Sequence, residues 1–186
     1  MKTHLICIVI AASACVAAAQ EKPRPATRPV RHVVSDVRVQ TLKGMTYLYA
    51  EMQATFDQIP QLAGKTLGQL DPAVKQANVQ VGGGPLFIYH GIGDDMSKPF
   101  KLQIGYPVAD DTRAVAGFQL KKLPDFRCAT VILSGSLGDM GEAYDKVWKA
   151  SIAAGMKPTG ETREAYLYWE GPDSSNNVIF IQIGIQ

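Results

Sequence analysis

From residue 33 onward, apolar side chains follow two different spacings that alternate along the chain. In four segments apolar and polar residues alternate with a period of two, which is typical of half-buried β-strands. These segments are residues 100–108, 129–134, 163–169 and 178–185. Two other stretches carry apolar residues at the helical spacing of three or four. The pattern therefore predicts an α+β fold with antiparallel strands and two helices on one side of them.

The two helical stretches have recognisable ends. The first follows Asp57, a suitable N-cap, and Pro72 predicts a break or kink within it. The second starts after Asp139, with Glu142 three residues later in a capping-box arrangement. Gly155 predicts where the second helix stops.

Short similarities recur along the chain at an almost constant offset of 79 to 81 residues and predict an internal repeat. The matching segments are residues 39–45 with 120–126, 86–89 with 165–168, and 103–105 with 182–184. We therefore expect two strand-strand-helix-strand-strand modules, residues 33–110 and 111–186, related by pseudo-two-fold symmetry.

The N-terminal residues have the pattern of a secretory signal peptide, predicted here for residues 1–19. Lys2 supplies a positive charge, an apolar run follows, and alanines at 17–19 offer small side chains for cleavage. The apolar stretch 5–19 is shorter than the ~20 residues that a membrane-spanning helix needs. We therefore expect export to the periplasm or out of the cell, with no transmembrane segment in the mature chain. The alternative is a lipoprotein anchored at Cys15.

Residues 20–32 carry three prolines and four basic side chains, a composition that predicts a flexible tail. The whole chain has 19 Lys and Arg against 17 Asp and Glu. Because the tail holds a net charge of +3 and the leader holds Lys2, residues 33–186 have a net charge near −2. A surface that binds nucleic acid needs clustered cations, so we expect no nucleic-acid partner.

Motifs for catalysis or metal binding are incomplete. Gly-Lys-Thr at 64–66 resembles the end of a phosphate-binding loop but lies inside the first predicted helix. His32 and His90 are far apart and have no ligand residue at a suitable spacing, so no metal site is expected. Cys128 lies in an apolar run, where a thiol is typically buried and unreactive. The sequence predicts no cofactor.

Two strands in corresponding positions have an aromatic face, which in the second module is also acidic. Glu164, Tyr166 and Tyr168 alternate onto one side of their strand, and Phe87 and Tyr89 lie on the matching side of the other. The opposite sides are aliphatic and are expected to lie beneath the helices. If the modules face each other, the five side chains line a cleft that suits a flat or cationic organic molecule. The alternative is that the tyrosines form exposed cross-strand pairs and Glu164 is solvated.

A resemblance to a known family rests on the two-module plan and on three segments, LSGSLGDMGEAYDKVWKASIAAGMKP, REAYLYWEGP and VIFIQIGIQ. The family is that of the GyrI-like small-molecule-binding domains, also called AraC-type effector-binding domains, and the resemblance spans most of residues 33–186. In relatives, an acidic residue followed by x-Tyr faces a central cleft and contacts drug-like, often cationic ligands. The matching residues here are Glu164 and Tyr166. Some members are transcription-factor sensors, others are stand-alone binders, and some hydrolyse cyclopropane-bearing toxins.

Three functions follow as hypotheses. The first is an exported stand-alone domain that binds a hydrophobic or cationic small molecule through Glu164 and the aromatic walls. Trp148 is a further candidate contact, although its spacing of one turn from Tyr144 is more typical of core residues. The second is a hydrolase in which Glu164 orients a water and a tyrosine donates a proton. The third is haem binding of the SOUL type, with His90 as the axial ligand.

Overall fold

The computed structural model describes residues 32–92, 95 and 97–186. The predicted signal peptide, residues 1–19, lies outside the described residues, as does the predicted tail apart from His32. The module boundaries at 33–110 and 111–186 stay predictions.

Nine strands and two helices make up the described fold, together with short 3₁₀ turns before each helix. The first half contains β1 (Val33–Val34), β2 (Arg38–Leu42), β3 (Met45–Ala54), α1 (Ile59–Gln76), β4 (Leu86–His90) and β5 (Phe100–Val108). The second half contains β6 (Gln119–Leu123), β7 (Phe126–Ser134), α2 (Met140–Ala153), β8 (Pro158–Tyr168) and β9 (Val178–Ile185).

All strands pair antiparallel in one sheet, which confirms the predicted α+β fold. The order is β1-β7-β9-β8-β4-β5-β3-β6, and β2 also pairs with β7. The two halves meet where β4 pairs with β8, at the centre of the sheet. The strands that carry the predicted aromatic face therefore lie side by side.

Strands β2 and β6 are exchanged between the two halves. β2 leads through residues 43–44 into β3 but pairs with β7, with Leu42 opposite Phe126. β6 leads through residues 124–125 into β7 but pairs with β3. Each half thus contributes a strand to the ladder of the other. The pairing is equivalent in the two halves, while the duplication itself stays a prediction.

Both helices cover the face of the sheet that carries Tyr89 and Glu164, since side chains from both helices line a cavity with these residues. Leu86 and Ile88 lie on the other face, where they cluster with the buried ring of Tyr47. The expectation that the aliphatic side lies beneath the helices is therefore wrong. The aliphatic side is buried by aromatic side chains of β3, so it needs no helix to cover it.

The sequence predicts a break or a kink at Pro72. Pro72 lies inside α1, which is continuous from Ile59 to Gln76, so the break is wrong. Proline removes one backbone hydrogen bond, here the one to the carbonyl of Gly68 four residues earlier. Leu70 and Val74 are buried on either side of Pro72 and pack with Leu48 of the sheet. Packing on both sides of the proline stabilises the helix across it.

The signals at the helix ends differ partly from those expected. The turn before α1 has a capping box formed by Thr55 and Gln58. Asp139 is the residue before α2, as expected, but its carboxylate accepts hydrogen bonds from Ser136. Glu142 pairs with His32 instead. Gly155 follows α2 with φ of +68°, a left-handed conformation typical of a helix stop, as the sequence predicts.

Candidate ligand-binding site

Glu164 lies near the centre of the sheet, on β8 between β4 and β9. It is opposite Phe87 on β4 and Ile181 on β9, and its side chain is directed toward the helices. Only 6% of the residue is exposed. Because a buried carboxylate is costly unless it is hydrogen-bonded, the groups that contact it determine what the site can do.

Three tyrosine hydroxyls donate hydrogen bonds to the Glu164 carboxylate. Tyr89 on β4 and Tyr166 on β8 donate to Oε2 at 2.7 and 2.9 Å. Tyr144 on α2 donates to Oε1 at 2.6 Å. The donors come from two strands and one helix, so three separate elements fix the orientation of the carboxylate.

Burial raises the pKa of Glu164, and the three tyrosine hydrogen bonds oppose that rise by stabilising the ionised form. Burial and the neighbouring carboxylate also raise the pKa of Tyr89, Tyr144 and Tyr166. The hydroxyls therefore stay protonated and remain donors. Among the described residues, Glu164 takes part in no ion pair. When ionised, it is a buried negative charge with donors but without a counter-ion from the described part of the chain.

A cavity of about 850 Å³ opens above Glu164, between the helices and the central strands. Its walls are mostly apolar or aromatic, and they are formed by Phe56, Ile59, Pro60, Tyr89, Ile92, Leu137, Met140, Tyr144, Trp148, Ile152, Pro158, Gly160, Glu161, Thr162, Glu164, Tyr166 and Ile183. The second acidic residue, Glu161, accepts a hydrogen bond from Arg163 Nε at 2.6 Å, which compensates its charge. Glu164 is therefore the uncompensated charge among these wall residues.

The arrangement is better suited to holding a charge than to donating a proton. The raised pKa of Glu164 is compatible with a general base. The hydrolase hypothesis also needs a tyrosine as proton donor, but burial and Glu164 raise the pKa of the three tyrosines and make them weaker acids.

The sequence matches a family model over most of the described domain. The model is that of the GyrI-like small molecule binding domain, and it matches residues 35–185, which include all the cavity residues. The chain belongs to this family. No curated protein matches the sequence.

Solved structures have the same fold as this GyrI-like domain at low sequence identity. The EcmrR C-terminal domain has a TM-score of 0.68 and 16% identity over 81% of this chain and 97% of that one. In the EcmrR–DNA complex the match covers 57% of the EcmrR chain. SAV2435, solved with bound tetraphenylphosphonium, has a TM-score of 0.62 and 12% identity over 82% of this chain and 94% of that one. A hydrolase of Listeria innocua encoded by lin2189 has a TM-score of 0.58 and 11% identity over 81% and 92%.

Four of the six residues predicted as ligand contacts lie at the cavity of the GyrI-like domain. They are Glu164, Tyr166, Tyr89 and Trp148. Phe87 is buried to 4% exposure and packs on the Tyr166 ring, with the ring centroids 4.9 Å apart. Phe87 therefore supports the wall from behind and does not form part of it.

Tyr168 does not lie at the cavity, contrary to the prediction. It is 52% exposed, and its hydroxyl donates to Glu170. The cause is a β-bulge, because Tyr166 is opposite Ile179 whereas Tyr168 is opposite Val178, which leaves one extra residue on β8. A bulge reverses the alternation of side chains beyond it, so Tyr168 is directed away from the face that carries Tyr166.

Tyr144 belongs to the site but was not among the predicted contacts. It lies four residues before Trp148 on α2, and both residues line the cavity. Side chains four apart on a helix share a face, so choosing Trp148 as a contact was sufficient reason to add Tyr144. The hydrogen bond between Tyr144 and Glu164 depends on how α2 packs on β8, and the local pattern does not encode that.

The remaining candidates lie away from the cavity. His90 is on the opposite face of β4, where its Nδ1 is 3.7 Å from Glu161 Oε2, so it does not face the cavity as an axial haem ligand would. The buried Cys128 has a pKa raised to about 11 by burial. Within the described ranges, no cluster of three or more His, Cys, Asp or Glu is arranged to hold a metal ion. No helix in those ranges combines the length and the hydropathy of a membrane span.

Proposed function

We propose that this GyrI-like domain binds a hydrophobic organic cation in the cavity above Glu164. The observation that supports this best is the buried carboxylate itself, which has three hydroxyl donors and no ion pair among the described residues. A lipophilic cation supplies the missing positive charge. The aromatic rings around it contribute cation–π attraction of about 0.5–2 kcal/mol each.

The volume and the walls of the cavity also limit the size and the polarity of the ligand. A volume of about 850 Å³ is in the range of small-molecule sites, roughly 300–1,000 Å³. The mostly apolar walls favour a ligand that is itself mostly apolar. Tetraphenylphosphonium, which SAV2435 binds in its solved structure, is a suitable first probe because it combines several rings with one delocalised charge.

The test compares two ions of nearly the same shape and opposite charge, tetraphenylphosphonium and tetraphenylborate, by titration calorimetry. Wild-type protein is expected to bind the cation and to reject the anion. Glu164→Gln keeps the shape of the side chain and removes its charge. It is expected to weaken cation binding by about 10- to 100-fold, the usual range for losing a buried charge interaction.

Glu142→Gln is the matched control. Glu142 lies on the same helix as Tyr144 but binds His32, and it does not line the cavity. Its neutralisation should leave the affinity for tetraphenylphosphonium unchanged. If Glu164→Gln and Glu142→Gln bind the cation equally well, Glu164 has no role in recognition and the proposal fails.

We also propose that the domain is exported and acts without nucleic acid. The support is the signal-peptide pattern of residues 1–19 and the absence of a basic surplus in residues 33–186. The EcmrR chain that was solved with DNA extends well beyond the region matched here. Anchoring of a mature lipoprotein at Cys15 is the alternative form of export.

A further inference from the structure

We propose that Trp169 is a positioning residue for the ligand site. Its indole holds the ring of Tyr166 in place, and through that ring it keeps the Tyr166 hydroxyl on Glu164. The inference rests on the proposed function of the cavity. It assigns a role to a side chain that is not part of the cavity wall.

The ring of Tyr166 contacts two other aromatic rings. One is Phe87, with centroids 4.9 Å apart and planes tilted by 49°. The other is Trp169, with centroids 5.5 Å apart and planes at 83°, an edge-to-face contact. Both arrangements are attractive for aromatic pairs. Two rings therefore restrict the position of the Tyr166 hydroxyl, which is 2.9 Å from Glu164 Oε2.

The bulge in β8 explains why Trp169 occupies this place. In a regular strand the residue two positions after Tyr166, which is Tyr168, would lie beside it. The extra residue between the Tyr166 and Tyr168 pairings shifts the alternation, so Trp169 contacts Tyr166 and Tyr168 does not. Trp169 is 43% exposed, so it contributes little to the core, and its ring makes an edge-to-face contact with Tyr166.

Loss of the contact between Trp169 and Tyr166 makes Glu164 harder to ionise. The groups that bear on Glu164 are Tyr89 from β4, Tyr144 from α2 and Tyr166 from β8, and each hydrogen bond favours the ionised form. The cavity residues of α1 and β9, Ile59, Pro60 and Ile183, are apolar. Without Trp169, the Tyr166 ring keeps its aromatic contact with Phe87 but loses the second one, and its hydroxyl donates to Glu164 for less of the time. The pKa of Glu164 then rises, and cation binding begins at a higher pH.

The experiment uses Trp169→Ala, Trp169→Phe and Tyr168→Ala. The titration of the Glu164 carboxyl carbon is followed by NMR in the ligand-free protein, and the affinity for tetraphenylphosphonium is measured across pH. Trp169→Ala is expected to weaken binding about 2- to 10-fold at neutral pH and to raise the Glu164 midpoint by about 0.3 to 1 pH unit. Trp169→Phe, which keeps a ring edge against Tyr166, should restore most of both values. Tyr168→Ala, an exposed aromatic one residue away, should match wild type.

Two results would overturn the inference. One is a Trp169→Ala protein that binds more weakly with an unchanged Glu164 midpoint, since a purely structural role gives this outcome. The other is an equal shift in Tyr168→Ala. If Trp169→Ala does not fold, Trp169→Leu keeps apolar bulk without a ring and serves instead. If wild type binds no organic cation, the proposed function fails, while the titration in the ligand-free protein still decides the role of Trp169.

Discussion

At the scale of single residues, the candidate site is built around one carboxylate and the three phenols that donate hydrogen bonds to it. Alternation along two strands is sufficient to predict Glu164, Tyr166 and Tyr89, because these residues precede the bulge and regular pairing applies to them. The same rule fails for Tyr168 after the bulge. Strand alternation also cannot predict Tyr144, because this residue contacts the carboxylate only through the packing of α2 on the sheet.

The proposed role of Glu164 predicts that cation binding depends on pH. Since burial raises its pKa, the carboxyl is ionised only above a pH higher than the ordinary value for glutamate. The affinity for tetraphenylphosphonium is therefore expected to fall as the pH is lowered through this raised pKa. Calorimetry across pH 4 to 9 at fixed ionic strength checks this, and a flat profile in Glu164→Gln is the control. A wild-type affinity independent of pH would contradict the assignment.

The contribution of Glu164 to the stability of the fold is expected to decrease as the pH rises, whereas its contribution to cation binding is expected to increase. A carboxyl whose pKa is raised in the folded state favours folding below its unfolded pKa, and this contribution is lost as the pH rises through the folded pKa. Glu164→Gln should therefore melt at a higher temperature than wild type at pH 8, and the difference should shrink toward pH 4. Thermal denaturation of the ligand-free proteins measures this. A variant less stable than wild type at pH 8 would show that the ionised carboxylate stabilises the fold.

At the scale of elements, irregular positions mark where the sequence pattern and the structure differ. The bulge in β8 and the proline in α1 both occur within elements whose existence the hydrophobic spacing predicts correctly. The local sequence is not sufficient to predict the extra residue in β8 or the continuity of α1 through Pro72. Each depends on tertiary contacts, with β9 for the bulge and with the core cluster around Leu70 for the helix.

Pro72→Ala is expected to stabilise the protein. The change restores the backbone hydrogen bond to Gly68 and replaces a poor helix former by a good one, while the unfolded chain gains freedom. We expect a net gain of about 1–2 kcal/mol in the free energy of unfolding, measured by urea denaturation. Gln69→Ala, an exposed change on the same helix, should alter it by less than about 0.5 kcal/mol. A loss of stability in Pro72→Ala would mean that the proline fits its position better than alanine does.

At the scale of the whole molecule, the exchange of β2 and β6 joins the two halves. The sequence predicts two modules, but it does not show that each module gives a strand to the other, because strand pairing between distant segments leaves no local signal. The ligand cavity lies where the halves meet, over β4 and β8. The fold therefore keeps the two walls of the cavity together by shared ladders.

The halves are expected to unfold together and not to fold separately. Residues 33–110 alone lack β7, the partner of β2, and residues 111–186 alone lack β3, the partner of β6. For the whole domain, tryptophan fluorescence reports the second half, which contains Trp148 and Trp169, and far-ultraviolet circular dichroism reports both halves. Their urea midpoints should coincide. Two separate transitions, or a stable isolated half, would contradict this cooperativity.

The three tyrosine hydrogen bonds also affect which cations fit. An ionised carboxylate has about four lone-pair positions, and the phenols already use three of them. A primary ammonium group carries three N–H donors and needs further acceptors, such as the tyrosine oxygens or Thr162, for those that the carboxylate does not accept. Each donor left unpaired costs about 1–3 kcal/mol. A quaternary ammonium or phosphonium group has no N–H to satisfy. If the cavity binds an organic cation as proposed, we therefore expect it to prefer quaternary cations to protonated amines of the same size.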